Sequence, residues 1–143
     1  MTIERTLAII KPNLVAKNLI GEIINRFEIA GFKIIAIKMI QLTKAKAERL
    51  YNQHIDKHFF SDLINFMISG PIVVSILECE NAIELYRNLI GDTNPMKAEK
   101  GTLRAYYANS HTENGFHGSD SKKSAIFEIN VFFKKNEIYS NID

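Results

Sequence analysis

Ile3 to Lys11 is an apolar run with β-branched content. It ends at Pro12, which disfavours helix in the residue before it and brings no N–H to a ladder. The run reads as a strand. Ile20, Ile23, Ile24 and Phe27 then recur at helical spacing, and Gly31 is placed to close that helix. From Lys33 to Gln41 the apolar content is nearly continuous, the pattern of a strand placed centrally in a sheet. Thr43 is positioned to cap a helix with Ala47, Leu50 and Tyr51 on one face. A second short helix carries Phe59, Phe60, Leu63, Ile64, Met67 and Ile68, and Gly70-Pro71 ends it.

Ile72 to Leu77 is the third strand, and Cys79, in the same apolar run, reads as a small buried hydrophobe. Asn81 followed by Glu84 has the spacing of a capping box. The helix it opens buries Ile83, Tyr86 and Leu89 or Ile90, and stops at Gly91. Residues 92–115 show no clean period, and an irregular stretch of that length is more often functional or disordered than idle. A brief extended segment around Gly115 to Gly118 precedes a last helix. Asp120 or Ser121 caps it, and Ala125, Ile126, Ile129, Phe132 and Phe133 face inward. Strand, helix, strand, helices, strand, helix, loop, strand, helix fits an α+β ferredoxin-like sandwich. Its four-stranded antiparallel sheet has helices on the other side. The pattern does not fix strand order, and a small parallel α/β fold is the competing assignment. No linker, internal repeat or low-complexity tract divides the chain, so residues 1–143 read as one domain.

Composition narrows the class. With 46% apolar and 24% charged residues over 143 positions, the chain has what an ordinary globular core needs. Lys and Arg number 18 against 16 Asp and Glu, so the net charge is only +2. That balance argues against a nucleic-acid-binding surface. One cysteine excludes an internal disulfide framework. No apolar run has the length of a membrane span, and Met1 to Lys11 lacks the pattern of a secretory signal. A cytoplasmic protein is the expectation.

The phosphate loop GxxxxGK[ST], the GxGxxG turn, CxxC and HExxH are all absent from the sequence. His54 and His58 have a spacing that a helix would bring together, but no third metal ligand is evident, and they read as ordinary histidines of a helix junction. The densest polar cluster is Asn114-Gly115-Phe116-His117-Gly118-Ser119-Asp120. A histidine followed by glycine meets little crowding and is free to face a cleft as nucleophile or base. Such a histidine is also common as a plain turn residue. Glu128, about two helical turns beyond Asp120, is near enough to orient the ring. Lys11 ends the first strand, while Arg87 and Arg104 lie on a later helix and in the long loop. Cations converging from three segments would clamp phosphate, with Thr93 and Asn114 as neutral donors, although each cation alone reads as a surface charge. One ring of Phe59-Phe60 belongs to the core, and the other could stack on a base.

The chain resembles the nucleoside diphosphate kinases over nearly all of residues 3–133. The motifs that carry this are Glu4-Arg5-Thr6, Ile10-Lys11-Pro12-Asn13, Gly21-Glu22-Ile23, Gly31-Phe32, Phe59-Phe60, Ser69-Gly70-Pro71, Gly91-Asp92-Thr93-Asn94-Pro95, Gly101-Thr102-Leu103-Arg104 and Asn114 to Asp120. It looks most like the bacterial branch. The resemblance implies that His117 takes the γ-phosphoryl group on Nδ1 and that Glu128 bonds its other ring nitrogen. It implies that Lys11 contacts the transferring phosphate beside Tyr51, and that Arg87, Thr93 and Arg104 hold the outer phosphates. Asn114 would bind near the sugar 3′-hydroxyl, Phe59 would stack on the base with Leu63 beside it, and Ser119 would lie near the histidine. ATP and other nucleoside tri- and diphosphates would be the substrates. Mg²⁺ would come mainly with their phosphates, with no dedicated protein metal site. A homo-oligomer, tetramer or hexamer built from dimers, is also implied, with no membrane or nucleic-acid partner.

Three positions depart from the family pattern. His58 stands where proline is usual before the Phe-Phe pair, which should loosen the entry of that helix. His111 stands where an aliphatic residue is usual across the base, and Lys100 adds charge before Gly101-Thr102. Two other classes were weighed. A regulatory ferredoxin-like module would not need Lys11, Arg87, Arg104 and His117 together. A phosphohistidine phosphatase would form the same intermediate but pass the phosphoryl group to water.

Overall fold

The computed structural model describes residues 2–108 and 113–141. Its elements are β1 (Ile3–Ile10), α1 (Pro12–Val15), α2 (Ile20–Ile29), β2 (Lys33–Ile40), α3 (Lys44–Leu50), α4 (Phe60–Met67), β3 (Ile72–Glu80), α5 (Ala82–Ile90), α6 (Leu103–Tyr107), β4 (Phe116–Gly118) and α7 (Lys122–Phe132). His111 lies outside the described residues. The strands pair antiparallel throughout, in the order β2-β3-β1-β4, which excludes the parallel alternative.

Helices cover both faces of this sheet, not one. Leu7 and Ile9 of β1 join Val74 and Ile76 of β3 beneath α3, α4 and α7. The alternate positions Ala8, Ile10, Val73 and Leu77 pack with α2, α5 and α6. Successive side chains of a strand point to opposite faces, so two central strands buried at consecutive positions, 6–10 in β1 and 72–78 in β3, require two covers.

The nearly continuous apolar run of β2 does not make it central. It is an edge strand, and its Ile37 and Met39 are 49% and 55% exposed. Apolar composition reports that a surface is sticky, not which neighbour covers it. A bulge between Ile34 and Ala36 leaves Ile35 out of register with β3, and the Ile35 carbonyl accepts from the Tyr139 N–H at 2.8 Å. The C-terminal segment therefore leans on β2, with Lys38 over the Phe133 ring and 3.3 Å from Glu137.

Most helix boundaries follow local chemistry. Thr43, Thr102 and Ser121 cap α3, α6 and α7 by accepting from the backbone N–H three residues on. The capping box at Asn81 does not form. Asn81 adopts a left-handed conformation, φ 54°, and its side chain makes no cap. Glu4 supplies the missing acceptor from β1, taking the Ile83 N–H at 3.3 Å. Two further readings are corrected. Ile126 points outward and is 64% exposed, while Val131 is buried in its place. Cys79 is only partly buried, because the last two residues of β3 run beyond the helical cover.

Candidate active site

The edge strand β4 is three residues long and pairs with β1, setting His117 opposite Ile9 and Gly118 opposite Ala8. At this edge the two helical layers meet around a cleft of about 520 Å³. All ten site residues read from the sequence line it: Lys11, Tyr51, Phe59, Leu63, Arg87, Thr93, Arg104, Asn114, His117 and Glu128. They come from the residue after β1, the residue after α3, α4 and its entry, α5 and the turn after it, α6, the turn before β4, β4 itself and α7.

His117 is held from behind. Its Nε2 lies 2.8 Å from Glu128 Oε1, and both side chains are largely buried. Ser119, with no exposed surface, donates its hydroxyl to the same Oε1 at 2.7 Å and accepts from the Leu7 N–H at 3.2 Å. With Nε2 facing the carboxylate, Nδ1 is the ring nitrogen left to act as nucleophile. The Tyr51 ring meets the imidazole edge to face at 5.6 Å. Burial, with the Glu128 carboxylate second, pushes the Tyr51 phenol above its ordinary range, so it stays a neutral hydroxyl. That hydroxyl is buried without a hydrogen-bond partner among the described residues.

The cations have different degrees of freedom. Lys11 is 4% exposed, and its Nζ donates to Asn114 Oδ1 at 2.9 Å. Burial, helped by the nearby Arg104 charge, pulls its pKa down to about 7. Arg104 is also buried, and burial lowers its pKa without removing its charge. Arg87 is exposed at the cleft rim. The same lining carries Asp92, Asp120 and Glu128, of which Glu128 is engaged by His117 and Ser119, so the three cations converge beside carboxylates already partly committed elsewhere.

Glycines shape the wall. A Cβ on Gly118 would lie 2.8 Å from the Tyr86 ring, so only glycine lets β4 sit against α5 here. Gly115 has φ +83° and would place a Cβ 2.6 Å from Leu14. The backbone N–H of Lys11 reaches the Gly115 carbonyl at 2.8 Å, so this turn ties β1 to the segment that carries the histidine.

Phe59 and Phe60 are both half-buried against the core, and it is Phe59 that reaches the cleft. His58 is exposed outside the cleft, with its ring 5.7 Å from Phe59. Lys100 is exposed in the loop before α6.

His54 and Asp120 line the cleft although the sequence did not mark them as site residues. The signal for His54 was its place three residues after Tyr51, on the same turn. It faces Tyr51 at 6.4 Å and Phe59 at 5.6 Å between ring centres. Burial, then Lys57, lowers its pKa, so it is neutral at pH 7. Asp120 does not cap α7. It accepts from the Ser124 hydroxyl, which holds its carboxyl below the ordinary range, and Ser121 makes the cap. No group of three His, Cys, Asp or Glu able to hold a metal occurs among the described residues.

An antiparallel β2-β3-β1-β4 sheet of the ferredoxin-like type, with a carboxylate-backed histidine in a cleft where Lys11, Arg87 and Arg104 converge, is an arrangement fit for phosphoryl transfer. A sequence profile for nucleoside diphosphate kinase matches residues 4–138, and the chain belongs to that family. It superposes on the Aquifex aeolicus nucleoside diphosphate kinase with a TM-score of 0.93 at 41% identity, over 96% of this chain and 99% of that one. A halophilic nucleoside diphosphate kinase from Halobacterium salinarum, solved in complex with CDP, matches with a TM-score of 0.94 at 35% identity, covering 97% and 93%. A nucleoside diphosphate kinase family protein from Babesia bovis gives 0.90 at 37%, covering 96% and 93%. The chain is accordingly a nucleotide-binding kinase that transfers the γ-phosphoryl group of a nucleoside triphosphate to a nucleoside diphosphate.

Proposed function

We propose that this transfer runs in two half-reactions through a phosphohistidine on Nδ1 of His117. The observation that carries the reading is the 2.8 Å contact between His117 Nε2 and Glu128 Oε1 at the floor of a cleft ringed by Lys11, Arg87 and Arg104. In the first step the Nδ1 lone pair forms a bond to the γ-phosphorus of ATP. The bond from that phosphorus to the bridging oxygen breaks, and ADP leaves. The Nε2 proton stays on the ring and points at the carboxylate, which offsets the positive charge the ring acquires. In the second step a terminal oxygen of the acceptor diphosphate forms the new bond to phosphorus, and the N–P bond breaks.

The remaining residues position and neutralise. Lys11 in its ammonium form faces the transferring group, with Tyr51 beside it. Arg87, Thr93 and Arg104 hold the outer phosphates. Asn114, already bonded to Lys11, contacts the sugar hydroxyls. Phe59 stacks on the base with Leu63 beside it, which suits a kinase that must accept many bases, since stacking ignores base edges. When bound with the nucleotide, Mg²⁺ would supply further neutralisation of phosphate charge. Asp120, one of three carboxylates lining the cleft, would hold the water shell of such an ion.

The chain works as one domain over residues 1–143, in a homo-oligomer of dimers, tetrameric or hexameric. Exposed Ile29, Ile37 and Met39 support assembly, and sedimentation at micromolar concentration tests it. No helix among the described residues is long and apolar enough to cross a membrane, and a cytoplasmic location is the reading that accompanies this chemistry.

The test is a half-reaction. The protein is incubated with Mg²⁺ and γ-labelled ATP, isolated, and mixed with GDP, beside His117→Ala. A base-stable, acid-labile label that moves to GTP and is absent from the variant is the expected result. Failure to capture label on folded protein overturns the mechanism. Label that leaves only as inorganic phosphate overturns the transfer step in favour of hydrolysis.

A further inference from the structure

We propose that Arg104 is a positioning residue for His117: its guanidinium fork holds strand β4 at the nucleophile, a role distinct from any contact with nucleotide phosphates. The inference rests on the reading of His117 as nucleophile.

Arg104 sits on α6, in the stretch whose sequence carried no periodicity, yet it is 8% exposed. Its Nη1 donates to the Gly91 carbonyl at 2.8 Å and its Nη2 to the Phe116 carbonyl at 2.8 Å. Gly91 is the residue that closes α5, where helix carbonyls lack partners and carry partial negative charge. Phe116 is the residue directly before His117. One cation thus joins the end of the helix that carries Arg87 to the start of the strand that carries the nucleophile.

Strand β4 is also held by its pairing with β1, by the Lys11 N–H to Gly115 carbonyl bond and by the packing of Gly118 on Tyr86. It is three residues long, at the sheet edge, and its neighbour is β1. The Arg104 fork adds a charge-assisted bond to its first carbonyl. The planar fork spans two carbonyls at once, which a lysine ammonium on a flexible stem does not reproduce. Arg104 Nε is buried without a hydrogen-bond partner among the described residues, and each Nη carries a second N–H beyond the one given to a carbonyl, so three of its five donors lie outside the fork. The strut and a phosphate contact are therefore compatible.

The experiment separates positioning from phosphate binding by reading His117 with no phosphate present. In nucleotide-free protein, solvent exchange of the His117 Nε2 proton is followed by NMR in the parent, Arg104→Lys and Arg104→Gln, with thermal unfolding run alongside. Positioning predicts exchange faster by about tenfold or more in both variants. It also predicts a matching loss in the rate at which phosphoramidate phosphorylates His117, a reaction in which the N–P bond to ammonia breaks as the Nδ1–P bond forms. Unchanged exchange in folded variants overturns the proposal and leaves Arg104 a phosphate ligand only. If neither variant folds, the parent protein decides. Its Arg104 Nη protons are expected to stay protected when ADP binds, and loss of that protection overturns the strut. A parent protein that takes no label on His117 from ATP or phosphoramidate overturns the nucleophile reading itself, whatever the exchange data show.

Discussion

The Ser119 hydroxyl and the Glu128 carboxylate meet at 2.7 Å, on the same oxygen that faces His117. Because Ser119 also accepts from the Leu7 N–H, the orientation of the His117 ring is anchored in β1, one of the two central strands. Ser119→Ala removes the donor to Glu128 and strands the Leu7 N–H. Stability should fall by about 1–3 kcal/mol, measured by urea unfolding. The kcat should fall with little change in KM, because nothing that touches the nucleotide is altered.

Glu128→Gln keeps the shape but removes the charge that offsets the imidazolium. The first half-reaction should slow by roughly 10- to 100-fold, the range seen when a carboxylate that orients histidine is lost. Rapid-quench measurement of phosphohistidine formation checks this. An unchanged rate would show that the carboxylate only packs.

Lys11 gives a pH signature. Its pKa in the folded protein is lowered to about 7 by burial and the Arg104 charge, against 10.5 for the ordinary side chain. Between these values the unfolded chain binds more protons than the folded one, so stability rises with pH across that window. The destabilisation from this group is complete below pH 7 and is relieved toward pH 10.5. Lys11→Met should therefore stabilise most at pH 6 and least near pH 10, read from unfolding midpoints. Polyphosphate in the cleft favours the ammonium, so ADP binding at pH 8 should take up a proton. Calorimetry in buffers of different ionisation enthalpy reports that uptake directly.

Gly118→Ala tests the packing behind the nucleophile. The new Cβ would lie 2.8 Å from Tyr86 Cδ2, in a region with no exposed surface on that ring. Overpacking of this kind costs about 1–3 kcal/mol, seen as a lower unfolding midpoint. The strain displaces β4, so phosphohistidine formation should drop more than the affinity for ADP.

His58→Pro tests the entry of α4. His58 is exposed and precedes Phe59, the residue that opens the helix and reaches the cleft. A proline there narrows the unfolded ensemble and fixes the approach to the ring, with a gain of about 0.4–1 kcal/mol. The KM for ADP should fall. A variant with weaker binding would show that the histidine itself supports Phe59, consistent with their rings being 5.7 Å apart.

The residues that line the cleft were named from local motifs and from the family resemblance those motifs carry, and the fold brings all ten together. His117 lies in a glycine-flanked cluster, Lys11 precedes a proline, and Thr93 follows a helix-ending glycine. His54 and Asp120 were not legible as cleft residues, since one read as a junction histidine and the other as a cap. What brings them in is the approach of the α3–α4 connection to the start of α7, which no local pattern encodes.

The same division holds for the fold. The sequence by itself determined the order of the four strands and of the longer helices, the cap at Thr43 and the glycine stops, because these depend on dihedral preference and on donors a few residues away. The short helices α1 and α6 and the choice of Ser121 over Asp120 as cap came from the structure. Only the tertiary structure decided that β2 lies at the edge, that helices cover both faces, and that Glu4 from β1 serves the start of α5 in place of the Asn81 side chain. The same holds for the Arg104 fork between Gly91 and Phe116. Each of these joins groups far apart in the chain, and hydrophobic pattern specifies which positions are buried without specifying what buries them.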